Sequence, residues 1–402
     1  MLSRGKSGWM MMAVALLSAC ASAEPKVVAS NCDDPNGCDN KVEALHLDAV
    51  DILMVIDNSN SIAPQAEALK AELPRLLNAI VMGNDGDTSF PPANSVHVAV
   101  TTSDIGIGPS DEFPTCTGIG NDGLFVKPGE VGVSCEASHP AYLAYEGGAA
   151  PIATVDSVAC VPLVFSQLGG NAGCGFEQPL EAALKSVWRA TDQKVSFLSG
   201  AAHGSDENQG FLRDTSLLVV VVVTDEDDCS ARDLGSFTTD HEGNAPGDAN
   251  VRCIKQKANL YDVQRYVDGF KALRPGNDNV IFAVLGGIPA ELVSDDSRSK
   301  YDFDVPEQVD AYYDMVLADS HMQEHIVAPP EKPFWALEAS CSIPGEALSG
   351  PHLLFPPPRL VQVAKAFGKD GVLGSLCAND FGSTTGRLIH AIGERLTAAS
   401  KH

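Results

Sequence analysis

Asp57, Ser59 and Ser61 stand at alternate positions in the stretch DNSNS. One carboxylate and two hydroxyls on a single turn are hard oxygen donors. They suit Mg²⁺, Ca²⁺ or Mn²⁺ rather than a thiophilic metal. A second acidic stretch, Thr224 followed by Asp225, Glu226, Asp227 and Asp228, offers more carboxylates. The plainer reading of Ser59 and Ser61 is helix capping, because Ser and Asp are favoured at the N-cap. The two readings are compatible, since one turn can cap a helix and coordinate an ion. For Asp227 and Asp228 the plainer reading, a solvated acidic loop, is preferred.

These residues need strands to carry them. Residues 50–56 form an apolar, β-branched run of the kind buried on both faces of a sheet. SLLVVVVVTDEDD is the strongest strand signal in the chain, and SVHVAVTTSD and NVIFAVLGGIP are two more, the last stopped by Gly286 and Gly287. Helical spacing lies between them: Ala66, Leu69, Leu73, Leu76, Leu77 and Ile80 across Pro74, then PLEAALKSVWRAT, YDVQRYVDGFKAL and finally RLIHAIGERLTAA. The alternation predicts an α/β fold, a doubly wound, mostly parallel sheet with helices on both faces. Ligands of such sheets bind beyond the carboxyl ends of the strands, where the strand order switches. Asp57 and Asp225 would share that crevice if their strands were neighbours. Residues 105–175 and 288–355 break the rhythm and read as two disulfide-bearing insertions on one domain over 46–400.

The strand–turn–helix setting of D-x-S-x-S, with the second acidic strand end, resembles the von Willebrand factor type A domain and its metal-ion-dependent adhesion site. The resemblance covers about residues 48–104, 172–288 and the last helix. It extends to a subgroup of bacterial lipoproteins carrying GCGFEQ and DEDDC, here residues 173–178 and 225–229. It implies metal ligation by Asp57, Ser59 and Ser61 from the turn and by Asp225 from the second strand end. The family's Thr ligand has no counterpart: GCGFEQPLEAAL lacks Thr, and counting back from Ala182 and Leu184 puts Glu177 or Gln178 in its place. Glu177 also reads as an ordinary acid near a helix N-terminus. As a ligand it would bring three carboxylates to one ion. That would favour Ca²⁺ and weaken the pull on an acidic group from a partner.

The formal net charge of −26 argues against binding nucleic acid and favours attraction for cations. With 44% hydrophobic and 20% charged residues, the 402-residue chain has the composition of a folded core. Arg4 and Lys6 precede a short apolar stretch, residues 9–17, which reads as a signal segment. Leu17, Ser18, Ala19 and Cys20 resemble a bacterial lipobox, whose Cys carries the lipid anchor. Ala21 stands where an inner-membrane retention Asp would be, so the resemblance implies the outer membrane. Residues 21–45 read as a tether.

Setting Cys20 aside, ten of the eleven cysteines remain, which predicts a disulfide framework. Pairing nearest neighbours would join Cys32–Cys38, Cys116–Cys135, Cys160–Cys174, Cys229–Cys253 and Cys341–Cys377. No C-x-x-C occurs, so a zinc ribbon is not expected.

His321, Glu324 and His325 match H-x-x-E-H, a zinc-protease pattern that needs a helix. Glu394 is a third ligand candidate only by its distance along the chain, and IVAPPEKP would cut the helix short, so a chance match is preferred. The Gly-rich residues 169–175 read as a turn held by Cys174, and FPPPR at 355–359 as a stiff connector into a helix.

The expected function is non-catalytic, divalent-cation-dependent binding of a protein or surface glycan from a lipid-anchored position at the outer membrane. A metal-dependent hydrolase is the alternative. A structural envelope protein whose metal only stabilises the fold is a third reading.

Overall fold

The chain's most apolar runs become the middle of a six-stranded sheet. In the computed structural model its strands are β1 (Ala49–Ile56), β2 (Ser95–Thr102), β3 (Leu143–Glu146), β4 (Leu217–Val223), β5 (Val280–Gly286) and β6 (Gly371–Ser375). The structure describes residues 47–59, 62, 65, 69, 72–127, 141–146, 173–233, 237, 251–274, 279–327, 336–343, 352–378 and 380–400. All of them belong to the unit Ala44–His402.

The strand order is β6-β5-β4-β1-β2-β3. Every pairing is parallel except β3 against β2. From β1 the chain moves outward through β2 to β3, then crosses back to β4 and moves outward the other way. The order therefore switches between β1 and β4, where Ile56 pairs with Val223. The fold is mixed α/β with a mostly parallel sheet, in agreement with the alternation of strand and helix signals.

All seven residues of β4 are buried. Each such Val or Leu contributes roughly 1.5–3 kcal/mol by leaving water. Alternate residues of β1 enter two apolar clusters. Val50, Ile52, Met54 and Ile56 pack with α1 (Leu73–Met82) and α6 (Gly382–Ala399). Leu53 and Val55 pack with α2 (Pro179–Val187), α3 (Gln264–Ala272), α4 (Pro306–Ala318) and α5 (Pro358–Ala366). Burial on both sides is why these strands show no polar alternation. Asp51, the one charged residue of β1, is buried and held by Arg213 Nε at 2.8 Å, with Arg274 at 3.7 Å.

Pro74 falls in the first turn of α1, where a missing N–H costs nothing, and Gln65 and Leu69 ahead of it are also helical. Helix α2 is buried on every side, including Glu181 and Lys185. Buried charges need partners. Glu181 accepts from Arg265 Nη2 (3.0 Å) and the Tyr266 hydroxyl (2.9 Å). Lys185 Nζ donates to Asp122 (2.5 Å) and Ser199 (2.6 Å), and His203 Nε2 lies 3.0 Å from the same Asp122 carboxylate.

Three elements depart from the sequence reading. β3 lies inside the expected insertion 105–175 yet forms the edge of the sheet; four residues alternating buried and exposed are too short a signal to stand out. α4 lies inside 288–355, and Val309, Tyr312, Tyr313 and Val316 bury a helical stripe that was there to be read. β6, GVLGS, carries two glycines that mask its strand character. Gly371 and Gly374 are needed because a Cβ would collide with Ala364 and Tyr313 at one and Thr384 at the other. Among the described residues of 288–355 there are also two small antiparallel pairs: Ile326–Val327 with Ala336–Leu337, and Cys341–Ile343 with His352–Leu354.

Cys229 pairs with Cys253 and Cys341 with Cys377, as nearest-neighbour pairing expects. Cys116 pairs instead with Cys174, 58 residues away, across a Cα separation of 4.4 Å. This corrects Cys116–Cys135 and Cys160–Cys174. Disulfides follow proximity in space, and the loop after β2 meets the loop before α2. Cys20, Cys32, Cys38, Cys135 and Cys160 lie outside the described residues, as do the signal segment and the tether. Among the described residues no helix is long and apolar enough to cross a membrane.

Candidate functional site

The adjacent ends of β1 and β4 bring the two acidic stretches together. Asp57 N donates to Val223 O at 2.9 Å and continues the strand pairing by one residue. The Asp57 carboxylate is fully buried. Ser59 N donates to its Oδ1 (2.7 Å) and Thr224 Oγ1 to its Oδ2 (2.9 Å), so its orientation is held from two sides. Ser59 follows on the same turn, half-buried, while Ser61 lies outside the described residues. Asn58 O accepts from Gly173 N at 3.2 Å, and any Cβ on Gly173 would strike the Asn58 side chain. The GCG loop thus lies directly over the DNSNS turn, which explains its first glycine.

The third wall comes from β2 and the loop before α2. Ser103 N donates to Ile56 O (3.1 Å), and Gln178 N donates to Ser103 O (2.9 Å). These bonds tie the start of α2 to the end of β1 through β2. The side chains of Glu177 and Gln178 then part. Gln178 Nε2 donates to Gly106 O (2.9 Å) and its Oε1 accepts from Ala231 N (3.3 Å), so its amide joins loops. Glu177 turns toward the crevice. Its Oε2 accepts from Ser103 Oγ, while its Oε1 is buried with no hydrogen-bond partner among the described residues. Burial, and next the charge of Asp57, push the Glu177 carboxyl well above its ordinary range, with Glu226 and Asp225 adding to the effect.

Asp225 is buried at the end of β4, and its backbone oxygen accepts from Phe355 N at 2.8 Å. Glu226 is half-buried, and its carboxylate has no hydrogen-bond or ion-pair partner among the described residues. Loss of hydration and the charge of Asp57 push it up to about 8. Asp57, Glu177, Asp225 and Glu226 therefore form one repulsive group. Such a group needs a proton or a cation to offset it. A hard divalent ion fits the donors: every one is an oxygen, and one buried oxygen has no partner. Among the described residues no three Asp, Glu, His or Cys side chains converge tightly enough to hold an ion by themselves. A complete ligand set would also draw on the hydroxyls of the turn.

Asp227 and Asp228 are not a solvated loop. Asp227 accepts from Arg359 N (3.1 Å) and Leu360 N (3.4 Å) in the first turn of α5. Burial and the charge of Glu324 push its carboxyl up to about 8 against the pull of Arg359. Asp228 accepts from Leu180 N (3.0 Å) in the first turn of α2, from Ser230 Oγ (2.6 Å) and from Arg359 Nη2 (3.0 Å). Both helices open on Pro, and the residues at their N-caps, Gln178 and Pro357, make no side-chain cap. Their free N–H groups need acceptors from elsewhere. That lack of a local cap was the signal in the sequence.

Two disulfides bracket the Glu177 loop. Cys174 is tied to Cys116, and Cys229, tied to Cys253, donates its N–H to Glu177 O at 2.7 Å. Phe176 packs edge-on against Phe113 (5.0 Å between centroids) and lies 4.7 Å from Phe237. A cleft of about 160 Å³ opens beside Glu177 and Glu226.

The H-x-x-E-H stretch does not form the helix its pattern requires. Only Ser320–Met322 makes a helical turn, and Ile326–Val327 is already strand. His321 Nδ1 lies 3.1 Å from Asp319, Glu324 pairs with Lys257, and Glu394 lies on α6 near Lys369 and His390. Residues 355–359 do lead into α5 as a connector.

Comparison of the chain with protein-family models, with curated proteins and with solved structures found no match.

Proposed function

We propose that this is a doubly wound type A domain that binds a protein or surface glycan in a manner dependent on a divalent cation, without catalysis. One observation carries the reading: Asp57 and Asp225 end neighbouring strands at the switch in strand order, and beside them lies a buried Glu177 oxygen with no hydrogen-bond partner among the described residues. Asp57, Ser59, Ser61, Asp225 and Glu177 would hold the ion. Ca²⁺ is favoured over Mg²⁺ or Mn²⁺, because a third carboxylate adds charge and Ca²⁺ tolerates more ligands in looser geometry. Bound there, the ion would offset the carboxylates and fix the turn against the Gly173 loop. The domain would stand on a lipid anchor at Cys20, in the outer membrane.

Glu177 also supports a second reading, a structural ion. Three carboxylates leave a divalent cation little remaining charge with which to attract an acidic group of a partner. A cation-dependent pull-down from envelope extract, with wild type beside Asp57→Ala, tests both. Capture lost in chelator and in the variant supports the binding function. Capture unchanged, with a lower melting temperature, supports the structural ion.

A further inference from the structure

We infer that the cleft beside this site receives an aliphatic cation, the side chain of a lysine or arginine on a polypeptide partner. The inference deepens the binding function proposed above by naming the partner's chemistry.

With about 160 Å³ of free space, the cleft suits one side chain; pockets for whole metabolites run to about 300 Å³ or more. Phe176, Ile254, Leu337 and Phe355 supply apolar walls, and Glu177 and Glu226 supply carboxyl groups that an arriving cation would hold in their charged form. The other charged groups of the lining are already engaged. Asp227 and Asp228 cap α5 and α2, and Arg359 pairs with Asp228. Lys257 pairs with Glu324, so the cleft already accommodates one aliphatic ammonium beside a carboxylate.

Among the described residues the Glu226 carboxylate has no such partner, and Glu177 Oε1, buried in the cleft lining, accepts no hydrogen bond. Apolar walls leading to carboxyl groups without a cation match a long methylene stem with a charged tip. An acidic side chain would add one more carboxylate to this group and is disfavoured. The chain's net charge of −26 draws basic partners to it as well.

The test uses the full chain and three probes: Nα-acetyl-lysine methylamide, its arginine analogue, and the norleucine analogue, which keeps the stem without the charge. Affinities are measured by NMR titration in chelator and in calcium, on wild type, Glu226→Gln and Asp57→Ala. A basic probe is expected to bind about tenfold more tightly than norleucine, and Glu226→Gln to weaken it by about the same factor. Equal binding of norleucine, or unchanged affinity in Glu226→Gln with the variant's melting temperature preserved, overturns the inference. So does full displacement of the probe by calcium in wild type, which would mean that the ion takes Glu226 as well as Glu177. Probe binding that persists in chelator upholds the cleft even if the metal site fails. Calcium binding without probe binding upholds the metal site alone.

Discussion

Ser103 Oγ donates to one oxygen of Glu177, and the other, Oε1, is buried near Asp57 with no hydrogen-bond partner among the described residues. The hydrogen bond fixes the carboxyl without satisfying it. Glu177→Gln keeps the shape and removes the charge. In chelator the melting temperature is expected to stay within about 2 °C of wild type, because burial and Asp57 already favour the uncharged Glu177 carboxyl. Its calcium affinity is expected to fall about tenfold. Calorimetric titration beside thermal melts checks both. Unchanged affinity would remove Glu177 from the ligand set.

The two carboxylates that cap distant helices differ in what they hold. Asp228 serves α2 and the buried Arg359 pair, whereas Asp227 serves the first turn of α5. Asp228→Ala leaves a buried guanidinium unmatched and is expected to cost about 3–5 kcal/mol. Asp227→Ala removes a cap and is expected to cost about 1 kcal/mol. Urea denaturation ranks them, and equal losses would contradict the division of roles.

Asp122 makes stability depend on acid. Burial pushes its carboxyl up, but hydrogen bonds from His203, Lys185 and Ser199 outweigh that and hold it below the ordinary range. A lowered carboxylate contributes stability above the unfolded value of about 3.9, and that contribution is lost as pH falls through the folded value. Asp122→Asn is therefore expected to be about 3 kcal/mol less stable at pH 7, with the gap narrowing below about pH 4. A gap that stays constant from pH 7 to pH 3 in urea melts would refute this.

Cys116–Cys174 joins cysteines 58 residues apart. Peptide mapping without reduction is expected to recover these two cysteines cross-linked. Cys116→Ser with Cys174→Ser is expected to cost about 4 kcal/mol by freeing the unfolded chain. Recovery of Cys116 joined to Cys135 would reject this pairing.

The amino-acid sequence by itself determined the four central strands, most of the longer helices and the acid at two strand ends. Residues 50–56 and 217–223 declare themselves because apolar runs and breakers act within a few residues. The resemblance left Glu177 or Gln178 as the counterpart of a Thr ligand. Only the tertiary structure shows which of the two turns toward the crevice. The loop passes Ser103 so that Gln178 bonds Gly106 and Ala231 while Glu177 turns inward. The same holds for the acidic run. Asp225 and Glu226 face the crevice, and Asp227 and Asp228 cap helices whose first turns lie 132 and 48 residues away in the chain. Short-range patterns report which face of an element is buried. Which carboxylate meets which N–H, and which cysteine meets which, depends on strand order, and strand order arises from contacts between residues far apart in the chain.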